Sequence, residues 1–298
     1  MKRQLQYSTP QPNRTFKPFC HPIPEPYSLG ICARGWGHNR LSGWQTDSKS
    51  SIFPGREVLQ LPLKIISFFF CFLFCLGALH ADQEAYRSLD ELGLQCGTDK
   101  ASSLHNYTKI YSRYFAPLKD KPIKFLEIGI YQGASVKMWE SYFKQATLHF
   151  IDISLKHVQY YSKRSRYHVL DQSKPRDLLK LIRKVGGDFD IIIDDGGHTM
   201  EQQITSFQHL FPHVKSGGMY IIEDLHTSYW ENYGGGDHSH TTVAFLKNLI
   251  DDVNYVGATT SCASHANIPS EVVADMTLYR KEIESIHFYD SLAIIFKR

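Results

Sequence analysis

From Pro122 onward the sequence alternates short apolar runs with stretches of helical periodicity, and that alternation constrains the fold more than any other feature. Runs such as KFLEI and FDIIID are short and rich in apolar residues, as parallel strands buried on both faces are. Strands are expected at Ile123–Ile128, Leu148–Asp152, Tyr167–Leu170, Phe189–Asp194 and Met219–Glu223, with helices over Ser135–Phe143, Lys174–Val185 and Thr199–Phe211 between them. The tail IESIHFYDSLAIIFKR adds two strands around a Tyr289-Asp290-Ser291 turn. The expected fold is an α/β doubly wound sheet of seven strands, mostly parallel, ending in an antiparallel hairpin over residues 121–298.

Upstream, residues 82–120 are a helical lead-in, in which Tyr107, Ile110, Tyr111 and Tyr114 recur at i, i+3, i+4 and i+7. Such an aromatic stripe is expected to be core packing. Residues 61–81 contain the uncharged run Ile65–Ala81, whose seventeen residues fall short of the roughly 20 that a spanning helix needs. Lys64 before it and Gly77, Ala78 and Ala81 near its end fit a signal-peptide core, with a membrane anchor as the alternative. Residues 1–60 hold seven of the thirteen prolines and no sustained apolar period, and are expected to be disordered. A signal of this kind belongs at an N-terminus, and no methionine lies between Met1 and Met138. The expectation is an over-extended reading frame, with initiation near Val58 or Leu59. Of six cysteines only Cys96 and Cys262 follow the apolar run, and their spacing leaves pairing open.

Charge separates the two ends. Residues 1–60 carry eight Lys/Arg against three Asp/Glu, and the remainder carries 25 against 27. A near-neutral enzyme portion argues against a nucleic-acid substrate.

The first strand runs into Glu127-Ile-Gly129-Ile-Tyr-Gln-Gly133 before a helix. Glycines at a strand-to-helix junction permit a tight turn and close approach of a ligand. The spacing is not the G-x-G-x-x-G of a pyrophosphate site, and Glu127 would repel an anion while attracting the ammonium of a methionine moiety. The loop therefore favours S-adenosylmethionine (SAM) over NAD. Asp152, about twenty residues on at the second strand's end, suits a ribose diol, or is a solvated strand-end carboxylate. Asp171 and Gln172 after the third strand are expected to reach the adenine edge. The alternative for Asp171 is a carboxylate at the N-terminus of the next helix.

The fourth strand ends in Asp194-Asp195-Gly-Gly-His198 and the fifth in Glu223-Asp224-Leu-His226. Both strand ends open on the edge that carries the glycine loop, so their carboxylates converge and call for a cation. Oxygen donors suit Mg²⁺, with Mn²⁺ as a substitute, held by Asp195, Glu223 and Asp224. A hydroxyl at such an ion becomes more acidic, and His198 is placed as its general base. The bland alternative is that Asp194 and His198 cap the helix beginning at Thr199.

The blocks GTDKASSLHNYTKIYSRYF, FLEIGIYQGASVKMWESYF, DFDIIIDDGGHTMEQQITSFQHLFPHVKSGGMYIIEDLHTSYW and SIHFYDSLAIIFK resemble, over Leu92–Lys297, the metal-dependent sugar O-methyltransferases of macrolide and related antibiotic pathways, of the mycinamicin type. The resemblance implies a Rossmann-like class I methyltransferase. It further implies SAM contacts from Thr98, the Glu127–Gly133 loop, Ser135, Asp152, Asp171, Gln172 and Asp190, metal ligation by Asp195, Glu223 and Asp224, and proton abstraction by His198. The implied partner is a small-molecule hydroxyl acceptor such as a sugar. The family carries a long N-terminal domain where this sequence has a short lead-in, so the acceptor is not carried over. Residues Tyr233–His240, YGGGDHSH, are expected to form a lid over the acceptor, with His238 and His240 solvated.

Two other function classes share the sheet: a nicotinamide oxidoreductase, which the missing G-x-G-x-x-G disfavours, and a non-catalytic SAM- or glycan-binding module. Export and chemistry also conflict. Lys64 before the apolar run and Asp82 and Glu84 after it place the enzyme portion on the non-cytoplasmic side, whereas SAM belongs to the cytosol.

Overall fold

The computed structural model describes residues 83–236, 239–260 and 267–298. The expected tail (1–60), the apolar segment (61–81), His238 and Cys262 lie outside the described residues. Among the described residues no helix is long and apolar enough to cross a membrane.

Seven strands form one sheet: β1 Lys124–Ile128, β2 Thr147–Asp152, β3 Arg166–Val169, β4 Phe189–Asp194, β5 Val214–Ile222, β6 Ile283–Tyr289 and β7 Leu292–Lys297. Their order is β3-β2-β1-β4-β5-β7-β6. The first five strands pair in parallel, and β7 runs antiparallel to both β5 and β6. The strand order reverses between β1 and β4, where an open sheet offers a crevice at the carboxyl ends of its strands.

Helix α1 covers residues 83–96, followed by α2 Tyr107–Phe115, α3 Ala134–Tyr142, α4 Pro175–Val185, α5 Met200–Leu210, α6 Thr242–Thr260, α7 Ser270–Ala274 and α8 Leu278–Glu282. The expected strands and helices match to within about two residues except at β5. There the strand begins five residues before the expected Met219, so that Gly217 and Gly218 lie inside it, next to an irregular register opposite Phe189 and Ile191. Helices α6 to α8 were not anticipated.

Successive residues of a strand face opposite sides, and the core divides accordingly. Phe125, Ile191, Ile193, Met219, Ile221 and Ile294 belong to a cluster with Leu89, Tyr107, Tyr111, Phe115 and Trp139. Leu126, Ile128, Ile192, Tyr220, Ile222 and Ile295 belong to the other, with Leu178, Phe207, Leu210 and Leu246. The lead-in and α3 thus cover one face, and α4, α5 and α6 the other. Residues 83–120 share the core of the sheet, with Tyr111 stacked on Phe115 at 4.9 Å and edge-on to Trp139.

Candidate active site

The same alternation that divides the core aims the chemistry. Glu127, Ile193 and Ile221 are aligned across β1, β4 and β5, and two residues further along lie Asp195 and Glu223. By parity Glu127, Asp195 and Glu223 all point to the face covered by the lead-in. There they meet a side chain that sequence reasoning passed over. Lys100 is fully buried, and its Nζ donates to Asp195 Oδ2 and to Glu223 Oε2 (2.9 Å) and stands 3.7 Å from Glu127 Oε1. Nothing local in the sequence marks it, since the lead-in also carries Lys109, Lys119, Arg87 and Arg113. Burial works to strip its proton, but Asp195, Glu223 and Glu127 overcome that and hold its pKa well above the usual lysine value.

The tyrosine stripe expected as plain core packing also has a polar function. Tyr111 donates its hydroxyl to Glu223 Oε1 at 2.5 Å and Tyr107 to Asp224 Oδ1 at 2.9 Å. Burial and the facing carboxylates push both phenols upward, so they stay protonated donors. Both Glu223 oxygens are therefore engaged, and burial raises this carboxyl well above its ordinary range.

Asp195, His198 and Asp224 offer ligand atoms within 4.8 Å of one another. His198 Nε2 lies 3.5 Å from Asp224 Oδ2 and 4.0 Å from Asp195 Oδ1. Its Nδ1 is buried without a hydrogen-bond partner. His198 and Asp224 both adopt left-handed backbone, at φ 57° and 54°. The Thr227 hydroxyl donates to the His198 carbonyl at 2.9 Å and so fixes one turn to the other. Helix capping does not explain these residues: Thr199 caps α5, accepting from Gln202 N while the Gln202 side chain accepts from Thr199 N. His226 approaches Asp224 at 4.0 Å and hydrogen-bonds the Ser291 hydroxyl of the C-terminal turn, a contact not foreseen.

Beside this cluster a cavity of about 450 Å³ opens at the carboxyl ends of β1, β2 and β4. That volume suits a nucleoside-sized ligand. Thr98, Gly129, Ser135, Asp152, Asp171, Gln172 and Asp195 line it, together with the apolar Ile153 and Leu170. Gly129 adopts φ 100°, and a Cβ there would lie 2.0 Å from the Asp195 carbonyl oxygen, so only glycine lets the two loops meet. Asp152 Oδ2 accepts from the Ile130 and Tyr131 amides at 2.9 and 3.1 Å, while Oδ1 accepts from Ser154 N. Asp171 accepts from Ser173 and pairs with Lys174 at 3.0 Å; the Ser173 hydroxyl foremost draws its pKa down. Gln172 is buried, donating to Asp194 Oδ1 and accepting from Gly197 N, so it braces the Asp194–His198 turn as well as lining the cavity.

Three anticipated cofactor residues do not line the cavity. Glu127 lies beneath it, fully buried, accepting from the Ser135 hydroxyl (2.8 Å) and Trp139 Nε1 (3.0 Å). Burial pushes its pKa up to about 7 against the pull of Lys100. Gly133 is the N-cap of α3 and faces Tyr160. Asp190 sits at the amino end of β4, on the far side of the sheet from the site, accepting from Lys124 N at 2.8 Å. The expected lid is tied down through its described part: Gly235 N donates to Trp230 O and Gly236 N to Ser228 O, while His240 is exposed.

A family described as "Methyltransferase domain" matches residues 126–225. The chain is 35% identical over 227 residues to 8-demethyl-8-alpha-L-rhamnosyl tetracenomycin-C 2'-O-methyltransferase of Streptomyces olivaceus, covering 73% of this chain and 57% of that one. It is 34% identical over 221 residues to mycinamicin VI 2''-O-methyltransferase of Micromonospora griseorubida, covering 70% and 52%. The chain thus spans little more than half the length of these relatives. Among solved structures, the MycE methyltransferase of the mycinamycin biosynthetic pathway, in complex with Mg and SAH, superposes with a TM-score of 0.61 at 34% identity over 70% of this chain and 54% of that one. Residues 126–225 are therefore a methyltransferase domain on a Rossmann-like class I sheet, within a chain that resembles the macrolide and tetracenomycin sugar O-methyltransferases.

Proposed function

We propose that the chain is a SAM-dependent, divalent-metal-assisted O-methyltransferase acting on a hydroxyl of a sugar or similar small polyol, with residues Leu92–Lys297 as the working unit. The observation that carries this reading is the junction of a nucleoside-sized cavity with the Asp195–His198–Asp224 cluster through one residue, Asp195, which belongs to both.

The residues fit the two groups the reading requires. Asp152 presents a carboxylate to a ribose edge, with Ile153 and Leu170 offering apolar walls to a purine. Asp195 and Asp224 are oxygen donors suited to Mg²⁺ or Mn²⁺ and share their cluster with His198. Glu223, the third expected ligand, lies outside that cluster on the Lys100 side, with its oxygens engaged by Lys100 and Tyr111. When bound, these groups supply a methyl on a sulfonium and Lewis acidity toward a hydroxyl. The protein's own work is positioning and proton handling. The shared carboxylate Asp195 brings an acceptor oxygen to the edge of the cavity, so that transfer becomes a matter of alignment. His198 Nε2, facing both Asp195 and Asp224, takes the hydroxyl proton as the oxygen gains the methyl and the cofactor departs as its neutral thioether.

The test is calorimetry with SAM, NAD and SAH, followed by turnover against a panel of sugars with Mg²⁺ and after chelation. SAM and SAH are expected to bind and NAD not. His198→Ala is expected to retain SAM binding and lose about 10²–10⁴ in kcat. Unchanged turnover by His198→Ala would overturn the base, and NAD binding without SAM binding would overturn the enzyme class.

A further inference from the structure

Lys100 is the one cation buried among the site's carboxylates in the described residues, and it comes from outside the sheet. Its ammonium meets three carboxylates from three adjacent strands, Glu127, Asp195 and Glu223, and its side chain is 1% exposed. The contacts are directional. Asp195 gives Lys100 its Oδ2 and turns Oδ1 toward His198; Glu223 gives Lys100 Oε2 and Tyr111 Oε1. Asp224 does not contact Lys100 and is held by Tyr107. The cluster therefore has an inner side neutralised by the protein and an outer side left for a bound ion. Carboxylates this deeply buried repel one another and lose hydration, and without a partner charge they would not stay together.

We propose that Lys100 is a positioning residue and a built-in counter-cation: it holds Asp195 and Glu223 in their working arrangement before any divalent ion arrives and weakens the grip on that ion. This rests on the metal-assisted reading above. An ammonium sharing carboxylates with a divalent ion repels it, so the site is pre-formed at the cost of affinity. A lysine that merely filled space would leave ion binding unchanged on replacement by methionine, and one that only ordered the ligands would weaken it when lost, whereas loss of a cation that also competes with the ion tightens it.

The experiment is a Mn²⁺ titration of the full chain followed by electron paramagnetic resonance of the free ion, with thermal unfolding measured in parallel. Lys100→Met is expected to bind Mn²⁺ about tenfold more tightly or better. It is also expected to melt lower than wild type without metal and to gain more from saturating Mn²⁺. Lys100→Arg, which keeps the charge, should return both readings toward wild type. Should Lys100→Met fail to fold without metal, the comparison is made between Glu127→Gln and the Lys100→Gln/Glu127→Gln double variant, where the double variant is expected to bind more tightly. Equal or weaker Mn²⁺ binding on loss of Lys100 overturns the inference alone. A wild-type chain that binds no Mn²⁺ overturns it together with the metal-assisted reading.

Discussion

The two halves of the site are built from different materials. The cofactor half is shaped largely by backbone: Gly129 lets two loops touch, and the amides of Ile130, Tyr131 and Ser154 fix Asp152. The chemical half is shaped by buried side chains: Lys100, Tyr107 and Tyr111, all from the lead-in, grip Asp195, Asp224 and Glu223 across more than ninety residues of chain. A backbone-built site is local in sequence, whereas a side-chain-built one must be gathered by the fold. Damage to the first should appear in cofactor binding, and damage to the second in turnover.

The largest expected effect tests the point where the halves touch. Gly129→Ala combines a left-handed backbone with a 2.0 Å clash on the Asp195 carbonyl, and is expected to lower stability by more than about 3 kcal/mol and abolish SAM binding, measured by chemical denaturation and calorimetry. A variant of near wild-type stability would mean that the two loops do not meet as described.

Next is Tyr107→Phe, which removes a hydrogen bond to a carboxylate worth about 1.5–3 kcal/mol. Turnover should fall about tenfold or more while SAM affinity stays unchanged. Equal loss in both would erase the division between the halves. Thr199→Ala removes the cap of α5, behind the His198 turn, and should cost about 1 kcal/mol by denaturation. Its effect on turnover is expected to exceed its effect on SAM affinity.

The gentlest test lies away from both halves. His149 and His168 are buried side by side on β2 and β3, ring nitrogens 3.1 Å apart, and burial lowers each to about 4. Neighbouring Arg166, Lys124 and Lys184 oppose their protonation further. The unfolded chain therefore binds more protons than the folded one between about pH 6.5 and 4, and stability falls as pH drops through that window. Melting curves over it should show the decline, and His168→Gln should flatten it. Loss of SAM binding before unfolding would tie this edge of the sheet to the cofactor half.

Sequence revealed the cofactor half well, because short-range rules govern it. The glycine spacing after β1, the carboxylate at the end of β2 and the period-2 strands are local signals, and Asp152, Asp171 and Gln172 line the cavity. Glu127 was found for a different reason from the one it serves: a direct ligand contact was expected, and it lies below, bracing Ser135 and Trp139. Asp190 follows the strand pattern yet stands at its wrong end for the site, which a resemblance between blocks does not resolve. Lys100 and the hydroxyls of Tyr107 and Tyr111 could not be read locally, since a tyrosine at helical spacing looks the same whether its oxygen meets water or a carboxylate. The missing clue lies in the strand register, which the fold supplies. Glu127 aligns with Ile193 and Ile221, and Asp195 and Glu223 follow two residues on, so three carboxylates face one side and call for a cation there.

The antiparallel turn that carries Ser291 bears on how the protein is made. The Ser291 carbonyl accepts from Leu225 N, its hydroxyl engages His226, and β7 covers the edge of β5 that would otherwise be open. A ribosome delivers Lys100 well before Ser291. Throughout translation of the intervening residues the chain carries a bare strand edge and an unfinished centre, and both are closed by the same late-arriving hairpin. A chain cut after α8 would keep the edge of β5 bare and leave Leu225 and His226 without Ser291, joining a templating edge and an unsupported site in one product.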